Sequence, residues 1–577
     1  MPDASFDLDR ITRRLAAARG ELEADLVLTG GRVANVYTGE WLAQDVAIFD
    51  GIIIGLGEYA GPRIELNGGY LLPGFIDGHL HLESSMLSPK ELARALLPCG
   101  TTTIVVDPHE IANVLGTTGL DYLLRASQGL PLDLFFMLPA CVPASPLETS
   151  GARLEAEQLA PYRQNPRVLG LAEVMNFPGI ISGNRDLLAK LALFPQGPVD
   201  GHAPRVSGKF LNAYRLTGIG SDHECTEPAE ALEKLRLGFY LMVREGSLAK
   251  NLADLLPAVP VSALRHTMLV TDDCHPEDLF SLGHLNHLLK LAVARGLAPI
   301  QTITLVTLNP AEYFRLRDRG AIAPGLAADL VVVRDLSQFE IDKVFKQGRL
   351  VVENGCLLPE VEFPEPSPPP PSFRLKAPPS EAFSPVVEGE VVKVIGLLPW
   401  QLLTEKRLAL APQKDGRLVT DPGRDLLKLA VMDRHQASGR MGLGLVQGFG
   451  LKRGALASSV AHDSHNLVVV GAEEADMLKA AEHVAHLRGG LAVVAAGRVL
   501  ADLPLPIAGL LSLDPLENVA QAYRRLKEAY RSLGGELEDP FMALSFLALP
   551  VIPELKLTDR GLVDVNRFAL VPLFGPD

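Results

Sequence analysis

The chain has 577 residues, of which 47% are hydrophobic and 21% are charged, and its formal net charge is −15. This length exceeds what one hydrophobic core supports, so we expect two to four domains. The acidic balance argues against nucleic acid or an anionic membrane surface as a partner, because either would require a basic face.

The first 27 residues carry charges throughout and lack the apolar stretch that is typical of a signal peptide. No window of the sequence is long and apolar enough for a membrane helix, so we expect no membrane partner. The five cysteines are scattered without C-x-x-C spacing, which is typical of reduced thiols. We therefore expect a cytoplasmic protein.

Two stretches of predicted short strands flank a longer region in which predicted strands and helices alternate. After a helix-like start, residues 25–72 predict short strands with Gly-Gly and Asp-Gly turns. Short apolar runs then alternate with helical segments, which predicts a (β/α)8 barrel over residues 73–317. Residues 318–356 return to short strands, and their ADLVVVRD resembles the earlier ADLVLTGG. We therefore predict one β domain built from residues 1–72 and 318–356.

The remaining residues divide into a linker and a further domain. Residues 357–384 begin with the proline-rich stretch LLPEVEFPEPSPPPPSF, which cannot form a helix or a central strand. We therefore predict a semi-rigid linker over residues 357–384. Residues 385–577 contain apolar runs with glycine turns, which favour strands, and the segment EEADMLKAAEHVAHLRGG, which favours a helix. A C-terminal α+β domain is the prediction for this part.

Polar side chains gather where the predicted barrel strands end. These residues are His79, His81, Asp107, His109, Glu173, His202, His223, Asp272 and Asp273. Each one alone fits a helix cap or a solvated loop residue. Together they converge on the rim where (β/α)8 barrels carry their active sites. This convergence predicts a metal site.

The types of candidate ligand indicate which metal ions and which class of reaction to expect. His79 and His81 are one residue apart on a strand, so their side chains share a face and can bind one ion. Imidazoles with carboxylates suit Mn, Fe or Zn better than Ca or Mg, and Glu173 on the fourth strand could bridge two ions. A bound ion lowers the pKa of its water to about 7, so we expect hydrolytic chemistry.

The longer motifs resemble a known family. The segments PGFIDGHLHLESSM and VTDDC resemble the amidohydrolase superfamily, which implies a (β/α)8 barrel with a flanking β-sandwich. Many members carry a bridging lysine on the fourth strand, where this sequence has Glu173. That departure fits the bacterial adenine deaminases. Three further segments also resemble that group: VVDPHEIANVLG, GSDHECT and GFGLKRGALASSVAHDSHN. The resemblance covers nearly the whole chain.

The resemblance implies a ligand set and a reaction. The implied metal ligands are His79, His81, Glu173, His202, His223 and Asp272. Glu173 would bridge a binuclear centre, with Mn favoured and Fe or Zn as alternatives. Asp272 would act as general base on the metal-bound water and later protonate the departing ammonia. The implied reaction converts adenine to hypoxanthine by attack at C6, and the implied assembly is a homodimer.

Several roles stay open at this stage. Glu224 could protonate the purine ring, or it could support the ligands together with Glu83, Asp107, His109 and Asp273. The cluster of His462, Asp463 and His465 could form a lid, a contribution from a partner subunit, a second metal site or a hydrogen-bonded turn. Two other functions remain as alternatives: another cyclic-amide or cyclic-amidine hydrolase on the same barrel, and a non-catalytic scaffold.

Overall fold

The computed structural model describes residues 7–247, 249–364, 366–398 and 403–575. The predicted segments 1–72 and 385–577 therefore extend at their ends beyond the described residues. The α-helices span Leu8–Ala18, Pro89–Leu96, His109–Leu115, Thr117–Ala126, Ala156–Leu159, Phe177–Ile181, Arg185–Leu191, Gly208–Leu216, Pro228–Arg236, Leu252–Leu255, Pro276–Leu282, Leu285–Ala294, Pro299–Thr304, Leu308–Tyr313, Glu474–His486, Leu516–Ser532 and Pro540–Phe546. Short 3₁₀ turns span Leu82–Ser85, Leu97–Cys99, Ala160–Gln164, Leu256–Ala258, Val261–His266 and Ser380–Phe383.

A parallel sheet curls into the predicted (β/α)8 barrel. Barrel strands 1 to 8, counted over the described residues, are Phe75–Leu80, Thr101–Val106, Asp133–Leu138, Val168–Val174, Val199–Gly201, Ser221–Asp222, Tyr240–Arg244 and Thr267–Val270. Strands 1 to 5 form one parallel sheet and strands 6 to 8 another. The barrel closes where Gly220 N–H donates to Val199 O (2.8 Å) and Asp272 N–H donates to His79 O (3.0 Å). The strands are largely buried on both faces, as expected for a sheet covered by helices.

The two flanks of the barrel pair with each other. Strand Leu330–Val333 runs antiparallel to Tyr70–Pro73, with Val331 opposite Leu72. The larger sheet comprises Arg32–Asn35, Glu40–Leu42, Tyr70–Pro73, Leu330–Val333, Ile341–Lys346, Arg349–Glu353 and Cys356–Leu357. A second sheet comprises Leu26–Thr29, Val46–Phe49, Ile52–Leu56 and Arg63–Glu65. Leu28, Ile48 and Phe345 bury their side chains in one core between these sheets.

The C-terminal region is built on a long sheet. Its strands are Val391–Leu397, Thr404–Leu410, Leu427–Met432, Met441–Gln447, Ala455–Ser458, Leu467–Gly471, Gly490–Ala495 and Arg498–Pro504. Smaller strands are Gln413–Lys414, Arg417–Leu418, Leu555–Thr558, Gly561–Asp564 and Ala569–Leu570. Ala457 faces helix Glu474–His486, whereas the adjacent Leu456 shares a core with the barrel. Because strand side chains alternate between faces, the sheet packs on the barrel with one face and on its own helix with the other.

The proline-rich segment is less independent than a linker. Ser380–Phe383 forms a 3₁₀ turn, and Phe383 is buried. Phe373 packs against the C-terminal core, and Arg374 N–H donates to Arg434 O (2.8 Å). In the part of the chain that the structure describes, no helix is long and apolar enough to span a membrane.

Candidate metal centre

The structure brings the predicted rim residues into one buried cluster. His79, His81, Glu173, His223 and Asp272 are each at most 5% exposed. These five residues lie at the ends of strands 1, 4, 6 and 8, and these four strands all end at the same rim. His202 follows strand 5 and keeps 27% of its side chain exposed, so the cluster opens towards that side.

Glu173 lies at the centre of this cluster and faces two sets of imidazoles. Its Oε1 is 3.6 Å from Nε2 of His81 and 3.5 Å from Nδ1 of His109. Its Oε2 is 2.6 Å from Nδ1 of His202 and 3.0 Å from Nε2 of His223. Burial alone would raise the pKa of Glu173, but the imidazoles of His202 and His223 outweigh it and hold this pKa well below the usual range.

Asp272 completes the first half of the cluster. Its Oδ1 is 3.4 Å from Nε2 of His79 and 3.3 Å from Nε2 of His81. Two ligands that each lie about 2.1 Å from one tetrahedral ion are about 3.4 Å apart. The distances from Asp272 to His79 and His81 therefore match those between two ligands of one tetrahedral ion.

Unpaired buried atoms provide a second test of whether a metal fits. Within the described ranges, Nε2 of His79, Oδ2 of Asp107 and Nδ1 of His109 are buried without a hydrogen-bond partner. Leaving such an atom unpaired costs about 1–3 kcal/mol. Imidazole and carboxylate donors together suit transition-type divalent ions. The donor set thus fits a divalent metal ion.

The backbone around the cluster directs its side chains. Asp77 accepts a hydrogen bond from His79 N–H (3.2 Å) and another from Thr271 Oγ1 (2.6 Å), which joins strands 1 and 8 below the rim. Asp272 has a φ of +58°, a left-handed conformation that aspartate tolerates better than most residues. The turn separates it from Asp273, whose Oδ1 accepts a hydrogen bond from Ser84 Oγ outside the cluster.

Arg244 ties two acidic residues together. Its Nη1 donates to Oδ2 of Asp272 (3.0 Å), and its Nη2 donates to Oε2 of Glu224 (3.0 Å). Burial alone would raise the pKa of Glu224, but the charges of Arg244 and His202 outweigh it, so this pKa is lowered. Glu224 is therefore held as a carboxylate on the outer side of Asp272.

Glu83 behaves in the opposite way. Its Oε1 accepts a hydrogen bond from Ile111 N–H (3.0 Å), while its Oε2 is buried without a partner among the residues described. Burial, with the nearby charge of Glu110, raises the pKa of Glu83 to about 7. This carboxyl group can therefore hold a proton near neutral pH.

The predicted C-terminal cluster reaches the same rim within its own chain. Nδ1 of His462 lies 2.6 Å from Oε1 of Glu110, and Oδ1 of Asp463 lies 3.9 Å from Nε2 of His109. His465 points inward, where its Nδ1 accepts a hydrogen bond from Ala461 N–H (3.1 Å). Sequence analysis missed Glu110, although it directly follows His109 in the DPHE segment.

Comparisons with known proteins agree with this arrangement. The amidohydrolase family model matches residues 70–351, and the model of the adenine deaminase C-terminal domain matches residues 401–569. The adenine deaminase of Desulfatibacillum aliphaticivorans is 48% identical over 97% of this chain and 99% of that protein. Adenine deaminase 2 of Carboxydothermus hydrogenoformans is 50% identical over 96% and 98%, respectively.

A third relative, the adenine deaminase of Methylobacterium sp. strain 4-46, is 48% identical over 98% of this chain and all of that protein. These alignments cover the barrel, its flanking sheets and the C-terminal region together. They give no support to the alternatives of another cyclic-amide hydrolase or a scaffold. With identity near one half over almost the full length of each relative, the chain belongs to the adenine deaminase family.

Proposed function

We propose that the protein is a metal-dependent hydrolase that converts adenine and water to hypoxanthine and ammonia. The proposed ligands of a binuclear divalent metal centre are His79, His81, Glu173, His202, His223 and Asp272. The observation that carries this proposal is that the two carboxylate oxygens of Glu173 face separate imidazole sets. Family membership supports adenine as the substrate.

Six donors are too many for one tetrahedral ion, which supports a pair of ions bridged by Glu173. Bound divalent ions supply a nucleophile at neutral pH, because they lower the pKa of water from about 15.7 to about 7. At His202 the distance to Glu173 is that of a hydrogen bond, so we expect ion binding to replace that bond.

Asp272 is the proposed proton carrier. One oxygen of its carboxylate faces His79 and His81, and the other accepts a hydrogen bond from Arg244. In this proposal a carboxylate oxygen of Asp272 takes one proton from the attacking water as the C6–O bond forms. It then gives that proton to the exocyclic nitrogen as the C6–N bond breaks and ammonia leaves.

The purine ring also needs a proton while C6 becomes tetrahedral. Glu224 is the sequence-based candidate, and its ion pair with Arg244 lowers its pKa. Glu83, with a pKa of about 7, suits this role better. A comparison of Glu83→Gln with Glu224→Gln tests the assignment: we expect the larger fall in kcat from Glu83→Gln.

The proposed function is tested by ammonia release. Metal-free protein reloaded with Mn, Fe or Zn is offered adenine, adenosine, dihydroorotate and imidazolonepropionate. We expect ammonia release from adenine alone, its loss on chelation and its recovery when metal is restored. Ring opening of the two cyclic amides releases no ammonia, so it is monitored by the change in their ultraviolet absorbance. Turnover of either cyclic amide with no turnover of adenine would refute the proposal.

Finer features belong to the same proposal. We propose Mn²⁺ as the ion and a homodimer as the assembly, both supported by the family resemblance. The free thiols of all five cysteines support a reducing location such as the cytoplasm. Strand pairing between the barrel flanks supports domains 1–72 with 318–356, 73–317 and 385–577, joined by 357–384. Metal analysis and light scattering test the ion and the assembly.

A further inference from the structure

Two neighbouring residues of the barrel meet two neighbouring residues of the C-terminal domain with complementary charges. His109 and Glu110 begin the helix that follows strand 2. His109 faces Asp463, and Glu110 faces His462, so each imidazole is paired with a carboxylate from the other domain. All four side chains are at most 6% exposed. The C-terminal domain therefore reaches the metal centre through a crossed pair of contacts.

The loop that carries His462 and Asp463 is held firmly from behind. Arg434, which is fully buried, donates from Nε to His465 O (2.5 Å) and from Nη1 to Ala508 O (2.8 Å). Nε2 of His435 lies 2.7 Å from Ser464 O. The contacts to Ser464 O and His465 O hold the backbone directly after Asp463.

His109 presents its other ring nitrogen to the metal cluster. Its Nδ1 is 3.3 Å from Oδ1 of Asp107 and 3.5 Å from Oε1 of Glu173, and it lies buried without a hydrogen bond in the described part of the chain. The donor atoms of His81, Asp107, His109 and Glu173 all lie within 4.8 Å of one another. These are the spacings expected for ligands of a shared ion.

We propose that His109 is an additional ligand of the metal centre and that Asp463 of the C-terminal domain orients it. A carboxylate beside one ring nitrogen of a histidine fixes the tautomer, which leaves the lone pair of the other nitrogen free for a metal. Here Oδ1 of Asp463 lies 3.9 Å from Nε2, beyond hydrogen-bonding distance, so its effect on the free imidazole is electrostatic. Once an ion takes the place of a proton between Nδ1 and Asp107, the Asp463 carboxylate favours the proton on Nε2 and leaves the lone pair of Nδ1 for the metal. Asp463 is thus a positioning residue that acts through His109. The inference depends on the proposed metal centre but not on adenine as the substrate.

Metal affinity tests this inference directly. Free Mn²⁺ is followed by electron paramagnetic resonance while the metal-free full chain is titrated. We expect His109→Gln and Asp463→Asn each to weaken Mn²⁺ binding about 10–100-fold, the usual effect of disturbing a ligand or its orienting carboxylate. Because Asp463 acts through His109, the double variant should bind no more than about 2-fold more weakly than His109→Gln alone.

Matched controls separate this role from domain docking. Asp559 bonds Thr149 across the same two domains (2.8 Å to N–H and 2.7 Å to Oγ1), and Asp476 is a buried carboxylate that bonds within the C-terminal domain. We expect Asp559→Asn and Asp476→Asn to leave Mn²⁺ affinity within about 2-fold of wild type.

Any one of three affinity results would overturn the inference. These are unchanged affinity in His109→Gln, additive losses in the double variant, and an equal loss in Asp559→Asn. A raised KM for adenine in Asp463→Asn with unchanged Mn²⁺ affinity would also overturn it and would place Asp463 against the purine. His109→Gln keeps the test decisive if Asp463→Asn does not fold. Wild-type protein that binds Mn²⁺ but leaves adenine unchanged would refute the proposed function alone.

Discussion

The base and the rim of the barrel both bury acidic side chains, but they neutralise them with different partners. At the base, Asp133 lies where strand 3 begins, and Nζ of Lys346 from the flanking sheet is 2.6 Å from its Oδ2. Arg319 also donates to Asp133, and Lys346 also bonds Asp329. Burial alone would raise the pKa of Asp133, but these two cations hold it well below the usual range.

At the rim, most of the carboxylates meet imidazoles. Glu173 faces His81, His109, His202 and His223, while the fixed positive charge of Arg244 serves Asp272 and Glu224. Lysine and arginine stay charged at neutral pH, whereas a neutral imidazole offers a lone pair to a metal. At the base, protein cations therefore neutralise the carboxylates, and these ion pairs join the barrel to the flanking sheet. The rim instead offers imidazole and carboxylate donors that suit a divalent metal ion.

The largest expected effect separates the proton carrier from the ligands at the rim. Asp272→Asn keeps the size of the side chain and one coordinating oxygen, but it removes the group that holds a proton. We expect it to retain much of its metal and to lose about 10²–10⁴-fold in kcat, the usual contribution of positioned acid–base catalysis. Metal analysis and adenine turnover, with and without added Mn, measure both quantities.

His202→Asn is the matched comparison, because its proposed role is coordination alone. Its metal content should fall together with its rate, and excess Mn should restore part of the activity. Near-normal turnover by Asp272→Asn would remove Asp272 as the base and direct attention to Asp273 or Glu83.

At the base, the expected effect is on stability alone. Lys346→Met leaves the buried Asp329 and the partly exposed Asp133 with one cation fewer. Breaking a buried pair such as Lys346–Asp329 costs about 3–5 kcal/mol. Lys343→Met on the same strand is the control, because Glu353, the partner of Lys343, is 42% exposed and such pairs contribute about 0–1 kcal/mol. Urea unfolding gives the difference. A loss of bound metal in Lys346→Met would contradict the division between the two ends.

Metal binding should stabilise the rim in proportion to its affinity. A ligand present at 100 times its Kd stabilises the folded state by about 2.7 kcal/mol. We expect Mn²⁺ to raise the melting temperature of wild type and of Lys346→Met by similar amounts. The increase should be much smaller in His79→Ala, which loses one donor. An equal increase in all three proteins would mean that Mn²⁺ binds elsewhere.

Local sequence patterns were sufficient to place the candidate ligands at the rim. His79, Glu173 and His223 end apolar runs that had to be buried strands, and parallel strands of a barrel all end at one rim. Asp272 and Asp273 could not be ranked, because neighbours in sequence share every local signal. Only the left-handed turn at Asp272 separates the two side chains.

Contacts between residues far apart in the chain could not be predicted, because no local sequence pattern indicates them. Glu110 and His462 are 352 positions apart in the numbering, and Asp133 and Lys346 are 213 apart. Each of these residues alone has the pattern of an ordinary polar residue at the end of a strand or helix. Their partners follow from how the C-terminal sheet and the flanking sheet pack on the barrel, which depends on shape rather than on periodicity.

A third, largely buried pair joins a carboxylate of the C-terminal domain to an imidazole of the barrel outside the metal cluster. Apart from the controls, its variant has the smallest expected effect of those discussed, and it tests whether a carboxylate–imidazole pair alone is enough to bind metal. Oδ2 of Asp539 lies 3.4 Å from Nδ1 of His275, and its Oδ1 accepts hydrogen bonds from Tyr523 Oη (2.6 Å) and Met542 N–H (2.9 Å). Both oxygens of this carboxylate are thus engaged by protein groups. Asp539→Asn should therefore leave Mn²⁺ affinity unchanged, unlike variants of the rim.

Its effect should appear as a dependence of stability on pH. Burial alone would raise the pKa of Asp539, but the hydrogen bond and charge of His275 outweigh it and lower this pKa to about 2, against about 3.9 in an unfolded chain. The ionised form therefore stabilises the fold above about pH 4, and this contribution, about 2–3 kcal/mol, is lost as the pH falls towards 2. The difference in melting temperature between wild type and Asp539→Asn should narrow from pH 5 to pH 3. A difference that stays constant over this range would show that Asp539 stabilises the fold through packing and not through its charge. The Asp539–His275 pair would then be no parallel to the charged carboxylate–imidazole pairs at the rim.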